Sequence, residues 1–170
     1  MKLNFLFPGK TREPYLAEGI KIYLQRLRPM VEVREHILKS PAPPGPGSAA
    51  EALARARESS LLLERCGAGE HLLASDLAGE RLSSTDLADR LEAMRLGGVK
   101  ALNLVVGGPW GLDEALLARA NLRLSLGPMT FPHELARLIL LEQVYRAYTI
   151  IRHLPYHKGS PEKAKAKAGG

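Results

Sequence analysis

Strand-length apolar runs alternate with helix-length segments along almost the whole chain, and this alternation restricts the fold more than any other feature. The runs Lys2–Phe7, Val31–Ile37, His71–Ser75, Ala101–Val106 and Leu122–Leu126 are rich in strand formers and mostly bounded by Gly, Pro or charge. Between and after them, Thr11–Arg28, Ser48–Arg65, Ser83–Leu96, Leu112–Ala120 and Pro132–Arg152 carry helical spacing. Parallel strands need crossover connections, and helices provide them. The pattern therefore predicts an α/β fold, a mainly parallel sheet with helices on both faces, with ligands bound beyond the carboxyl ends of the strands.

Two segments interrupt the pattern. Ser40–Ser48 (SPAPPGPGS) holds four prolines and two glycines, so it reads as a surface crossover loop rather than a helix or central strand. A domain boundary there would leave an upstream piece of about forty residues, too small to sustain its own core. Residues 1–158 are expected to form a single domain. The tail 159–170 (GSPEKAKAKAGG) has no large apolar side chain and is expected as a disordered basic extension. The last helix places Leu135, Leu138, Ile139, Leu141, Val144, Tyr145, Tyr148 and Ile151 on more than one face. Such a helix must be covered on both sides, and a second subunit is the expected cover.

The formal charge is +6, and the body stays basic without the tail lysines Lys163, Lys165 and Lys167. This favours a polyanionic partner without naming one. Cys66 is the only cysteine, which excludes an internal disulfide and a cysteine-rich zinc site. It has no neighbouring histidine to activate it and reads as structural. The apolar run at the start is too short for a signal peptide or a membrane span, so a cytoplasmic location and no membrane partner are expected.

Two loops could carry chemistry. Gly107-Gly108-Pro109-Trp110-Gly111 follows the fourth strand, and Ser125-Leu126-Gly127-Pro128-Met129-Thr130-Phe131-Pro132-His133 follows the fifth. Together they could form one pocket, although a single strand-to-helix turn rich in glycine is usually only a turn. Neither matches a phosphate-binding loop or a dinucleotide fingerprint, and no G-x-S-x-G elbow is present. Thr130 is expected to cap the last helix, with Pro132 in its first turn. His133 and Arg137 share a helix face below the second loop and are candidate substrate contacts. The plainer alternative pairs Arg137 with Glu134 or Glu142 along the helix. His133, His153 and His157 lack the carboxylate or cysteine partners of a metal site, so no metal is expected. His153-Leu154-Pro155-Tyr156-His157-Lys158 combines aromatic, imidazole and basic side chains, the means by which unpaired bases are held.

LNLVVGGPWGL, followed by LSLGPMTFPHELARLILLEQVYRAYTIIRHLPYHK, resembles the ribosomal RNA large subunit methyltransferase H family of the SPOUT superfamily. The likeness is strong from Ala101 to Lys158 and extends to MKLNFLFPGK and to Ser75-Asp76-Leu77-Ala78-Gly79-Glu80. It implies a C-terminal trefoil knot, which topology rules alone would not suggest. It also implies a homodimer and S-adenosylmethionine-dependent methylation of N3 of pseudouridine 1915 in the helix 69 loop of 23S ribosomal RNA, on assembled ribosomes.

Carried onto this chain, the resemblance assigns the methyl donor to Ser75, Gly107, Leu126, Gly127, Pro128, Met129, Thr130 and Phe131, largely through main-chain contacts. Arg137, Tyr156, His157 and Lys158 would face RNA. The acceptor nitrogen must lose a proton and the base must be unpaired or extruded. Arg137 or Lys158 would stabilise the developing anion, and His133 or His157 would relay the proton. A non-catalytic ribosome-binding or assembly protein is the alternative, distinguished by having no need of a donor pocket.

Overall fold

The structure, a computed structural model, describes residues 1–39 and 47–156. The proline-rich loop up to residue 46, the tail 159–170, His157 and Lys158 lie outside the described residues. The elements run β1 (Lys2–Pro8), α1 (Pro14–Leu27), β2 (Val33–Leu38), α2 (Ser48–Arg65), β3 (His71–Arg81), α3 (Ser84–Leu96), β4 (Ala101–Val105), α4 (Glu114–Arg119), β5 (Leu122–Ser125) and α5 (His133–Ile151). The strands form one parallel sheet in the order β2-β1-β4-β3-β5.

The pleat of β1 shows how the two layers are specified. Leu3, Phe5 and Phe7 point to one face and join Ile20 and Leu24 of α1, Leu87 and Leu91 of α3, and Leu140, Val144 and Ala147 of α5. Leu6 points to the other face, where Leu62 of α2 and Leu116 of α4 meet Leu72, Ala74 and Val105. Side chains that alternate across a strand and are buried on both faces give near-continuous apolar strands, which is why β1 and β4 read as runs. Each fully buried Leu or Phe contributes about 1.5–3 kcal/mol. At the sheet centre, Asn4 and Asn103 face each other across β1 and β4, joined by a 3.0 Å side-chain hydrogen bond. Asn103 also donates to Glu70 at 2.9 Å, so this polar pair ties the amino end of the sheet to the turn before β3.

Two expectations change. β3 continues past Ser75 to Arg81, because the strand bulges between Ser75 and Glu80 and then resumes its pairing with Leu124 and Ser125 of β5. Gly79 permits this: a Cβ there would stand 2.6 Å from the Arg123 backbone carbonyl. Thr130 does not cap α5. Pro132 occupies the cap position with extended backbone, and its carbonyl accepts the Ala136 N–H at 2.9 Å. By contrast, Ser83 and Asp86 form a complete capping box on α3. The broad apolar surface of α5 is met in part within the chain: the helix lies against both α1 and α3, and Leu138, Tyr145, Ile150 and Ile151 pack on the same core. Leu135 and Ile139 stay partly exposed outside the core clusters.

Candidate functional site

A cleft of about 160 Å³ opens at the carboxyl ends of β3, β4 and β5. Ser75, Asp76 and Leu77 of the β3 bulge form one wall, Gly107, Gly108, Gly111 and Leu112 a second, and Leu126, Gly127, Met129, Thr130 and Phe131 a third, with His133 and Ala136 at the start of α5. The fold thus brings together both sequence-predicted loops and the predicted Ser75. Of the predicted donor residues, Pro128 is the one that does not line the cleft. Leu77, Val106 and Leu112 line it without having been singled out. Leu77 lies in the bulge, which no simple alternation of apolar residues reveals.

The walls are mostly main chain and apolar side chain. A Cβ on Gly107 would meet the Gly111 carbonyl carbon at 2.8 Å, so only glycine lets the turn close on itself. Gly127 has φ of 134°, a conformation other residues rarely adopt. The Ser125 hydroxyl accepts the Gly127 N–H at 3.3 Å and fixes the start of the third wall. Arg123 donates twice to one oxygen of Asp76, at 2.6 and 2.9 Å, which anchors the bulge to β5. Among the lining residues, Leu77 is 57% exposed and Met129 68% exposed. The cleft therefore presents apolar surface that a flat, uncharged ring system would cover. A larger cavity of about 620 Å³ lies at the amino ends of β1 and β4, among Lys2, Glu92, Arg95, Lys100 and Arg152. It is away from the strand ends where parallel sheets bind ligands, and the sequence-predicted loops do not reach it.

His133 is half-buried at the cleft. Burial and, secondarily, the Arg137 charge hold its imidazole below its ordinary value, against the opposing pull of Glu134 and Glu58. It is accordingly neutral near pH 7 and able to accept a proton.

Arg137 is placed differently from the expectation of an RNA-facing side chain. It is fully buried, and its guanidinium donates to the carbonyls of Pro8 at 2.6 Å and Gly9 at 3.0 Å and to the Thr11 hydroxyl at 3.2 Å. It also lies over the Phe7 ring, 5.1 Å from its centroid. Neither within-helix partner of the plainer alternative is used. Glu134 accepts the backbone N–H groups of Arg12 and Glu13, and Glu142 pairs with Arg146 at 2.6 Å. Arg137 thus fastens the carboxyl end of β1 to the start of α5. No sequence signal marks this, because its partners are backbone carbonyls 128 and 129 residues away.

Tyr156 belongs to a separate aromatic cluster. Its ring meets Tyr145 edge-on at 4.8 Å, Arg146 lies 4.9 Å from its centroid, and its hydroxyl donates to Glu142 at 3.2 Å. The hydroxyl also lies 3.4 Å from that of Tyr23, and this contact, with burial, raises its pKa. Since Glu142 stands nine residues beyond His133 on α5, this cluster is about 14 Å along the helix from the cleft. Cys66 donates to the Leu62 carbonyl at 3.3 Å, and burial pushes its thiol up to about 11, in keeping with a structural role. Among the described residues, no helix is long and apolar enough to cross a membrane.

A parallel sheet with a cleft at the carboxyl ends of β3, β4 and β5 places this chain among α/β proteins of the kind that hold ligands beyond their strand ends. The profile of a family described as "Predicted SPOUT methyltransferase" matches residues 1–157. Two relatives named ribosomal RNA large subunit methyltransferase H are similar over 93% of this chain. One, from Desulforamulus reducens, is 42% identical over 99% of its own length, and one from Symbiobacterium thermophilum is 44% identical over 100%. A solved structure titled a probable methylase family protein from Haemophilus influenzae shares the fold at 11% identity, with a TM-score of 0.50 over 98% of this chain and 74% of that one. The chain belongs to the SPOUT methyltransferase family and, within it, to the ribosomal RNA large subunit methyltransferase H family.

Proposed function

We propose that this protein is an S-adenosylmethionine-dependent methyltransferase acting on N3 of pseudouridine 1915 in the helix 69 loop of 23S ribosomal RNA, on assembled ribosomes in the cytoplasm. The observation that carries the reading is the cleft itself: three walls of main chain and apolar side chains, lined by Ser75, Gly107, Leu126, Gly127, Met129, Thr130 and Phe131. The donor set suits an adenosyl group. Leu77, Leu112, Leu126, Met129 and Phe131 can enclose a purine ring, and glycine-rich main chain can hydrogen-bond its polar edges. Bound there, S-adenosylmethionine supplies an electrophilic methyl group for in-line displacement by a ring nitrogen.

The chain's own contribution is to orient the reactants and manage one proton. In this reading His133, neutral and at the cleft, accepts the proton of the acceptor nitrogen. Arg137 acts from behind as a positioning residue: by holding Pro8 and Gly9 it fixes the β1–α1 connection beside the start of α5. Tyr156, with His157 and Lys158, forms the RNA-holding end of the chain, and Lys158 would balance the anionic ring. Because Tyr156 sits well along α5 from the cleft of its own chain, the reading includes a homodimer in which one copy's C-terminal residues serve the other's cleft. It also includes a single domain over 1–158 and the knotted C-terminal topology of the family.

The test is incubation of the purified protein with tritiated S-adenosylmethionine and ribosomes from cells that lack the modification. Close to one methyl per large subunit is expected in the 23S fraction. Donor binding without incorporation into any ribosomal fraction would contradict the substrate, and no donor binding would return the chain to the non-catalytic alternative.

A further inference from the structure

Glu58, on the inner face of α2, is 4% exposed, an uncommon state for a carboxylate. It lies directly behind the glycine turn: a Cβ built on Gly108 would fall 2.5 Å from one carboxylate oxygen and 3.0 Å from the other. Gly108 lines the cleft, so a single residue without a side chain separates this carboxylate from the ligand space. The next residue, Ser59, is fully buried and accepts the Asp113 N–H at 2.9 Å, at the far end of the same turn. One turn of α2 therefore contacts both ends of the segment 108–113 that forms the second wall. The two contacts differ in kind, because Ser59 is neutral and Glu58 can carry a charge.

Charge at this point has a specific consequence for a methyl donor. A sulfonium is cationic, and the thioether left after transfer is neutral, although the two molecules are otherwise nearly the same shape. A carboxylate behind a thin, water-poor wall favours the first over the second, because Coulomb interactions are strengthened where water is excluded. Resting on the donor reading above, we propose that Glu58 is a positioning residue of the donor cleft whose carboxylate biases it toward the cationic donor over the neutral product, while Ser59 fixes the wall without regard to charge. Glu58 also acts, as one of the smaller contributions, against the lowering of His133 and Arg137.

Calorimetric titration with S-adenosylmethionine, S-adenosylhomocysteine and sinefungin, whose amine restores a positive charge, tests the assignment without any RNA. The wild-type protein should bind sinefungin more tightly than S-adenosylhomocysteine. Glu58→Gln should shrink the preference for the cationic ligands by about three- to tenfold. Glu58→Asp should keep most of it, and Ser59→Ala should weaken all three ligands alike. Gly108→Ala provides a second route, because its Cβ must displace the Glu58 carboxylate, and the same ratio should fall. A wild-type protein that binds the neutral ligand at least as tightly as sinefungin, or a ratio unchanged in Glu58→Gln, overturns the proposal and leaves the donor reading intact. Binding of none of the three ligands by wild-type protein removes both.

Discussion

Replacing Arg137 by Ala should reveal a structural fastening whose loss costs several kcal/mol before any substrate is present. The guanidinium is fully buried and satisfies the Pro8 and Gly9 carbonyls and the Thr11 hydroxyl, besides stacking on Phe7. Hydrogen bonds to a charged donor contribute about 1.5–3 kcal/mol each, and carbonyls left buried without a donor add a desolvation penalty. Water entering the vacated space would recover part of this, so about 3–5 kcal/mol is expected for Arg137→Ala. For a domain of this size that corresponds to a melting temperature lower by roughly 6–20 °C. Arg137→Lys should cost less, about 2–3 kcal/mol, because one ammonium keeps the charge but cannot reproduce the planar fork. Urea unfolding followed by far-ultraviolet circular dichroism gives both values. A loss under about 1 kcal/mol in Arg137→Ala, with activity abolished, would refute the fastening and restore a direct RNA contact.

Four further outcomes follow from the geometry. Gly79→Ala should destabilise by about 1–3 kcal/mol and weaken donor binding, since its Cβ would press on the Arg123 backbone, as calorimetry and thermal melts would show. Leu62→Ala, in the layer beneath α2, should cost about 2–5 kcal/mol in urea unfolding. Because His133 is held below the ordinary imidazole value of 6.5, its stabilising contribution is complete above that pH and is lost as pH falls through the lower folded value. His133→Asn should therefore flatten the pH dependence of stability on the acid side, and in transfer assays should remove an acidic limb in which rate rises with pH. Finally, Cys66, with its thiol near 11, should react with iodoacetamide at pH 8 far more slowly in the folded protein than in urea.

The alternation of elements was legible because strands buried on two faces and helices buried on one leave different marks. Ser48–Arg65 coincides with α2, and the other helices differ from their expected spans by at most a few residues at either end. The β3 bulge was hidden because Asp76 and Glu80 look like a loop, while what sustains the strand is Gly79 admitting the β5 backbone. The site was legible where it is made of glycine turns after strands, as at Gly107 and Gly127. It was illegible where it depends on distant partners. Arg137 reads as a substrate contact or a within-helix ion-pair partner, and becomes buried only because β1 ends against α5. Glu58 reads as one more charge on a polar helix face, yet α2 turns it into the wall behind Gly108. The strand order, which places β4 between β1 and β3, likewise has no local signature.

The most direct measurement of the account is mass-spectrometric mapping of helix 69 after reaction of unmodified ribosomes with the protein and S-adenosylmethionine. A single added methyl on N3 of pseudouridine 1915, absent when the donor is omitted, is the predicted result. A methyl on another nucleotide, or no mass change under conditions where the donor binds, would contradict it.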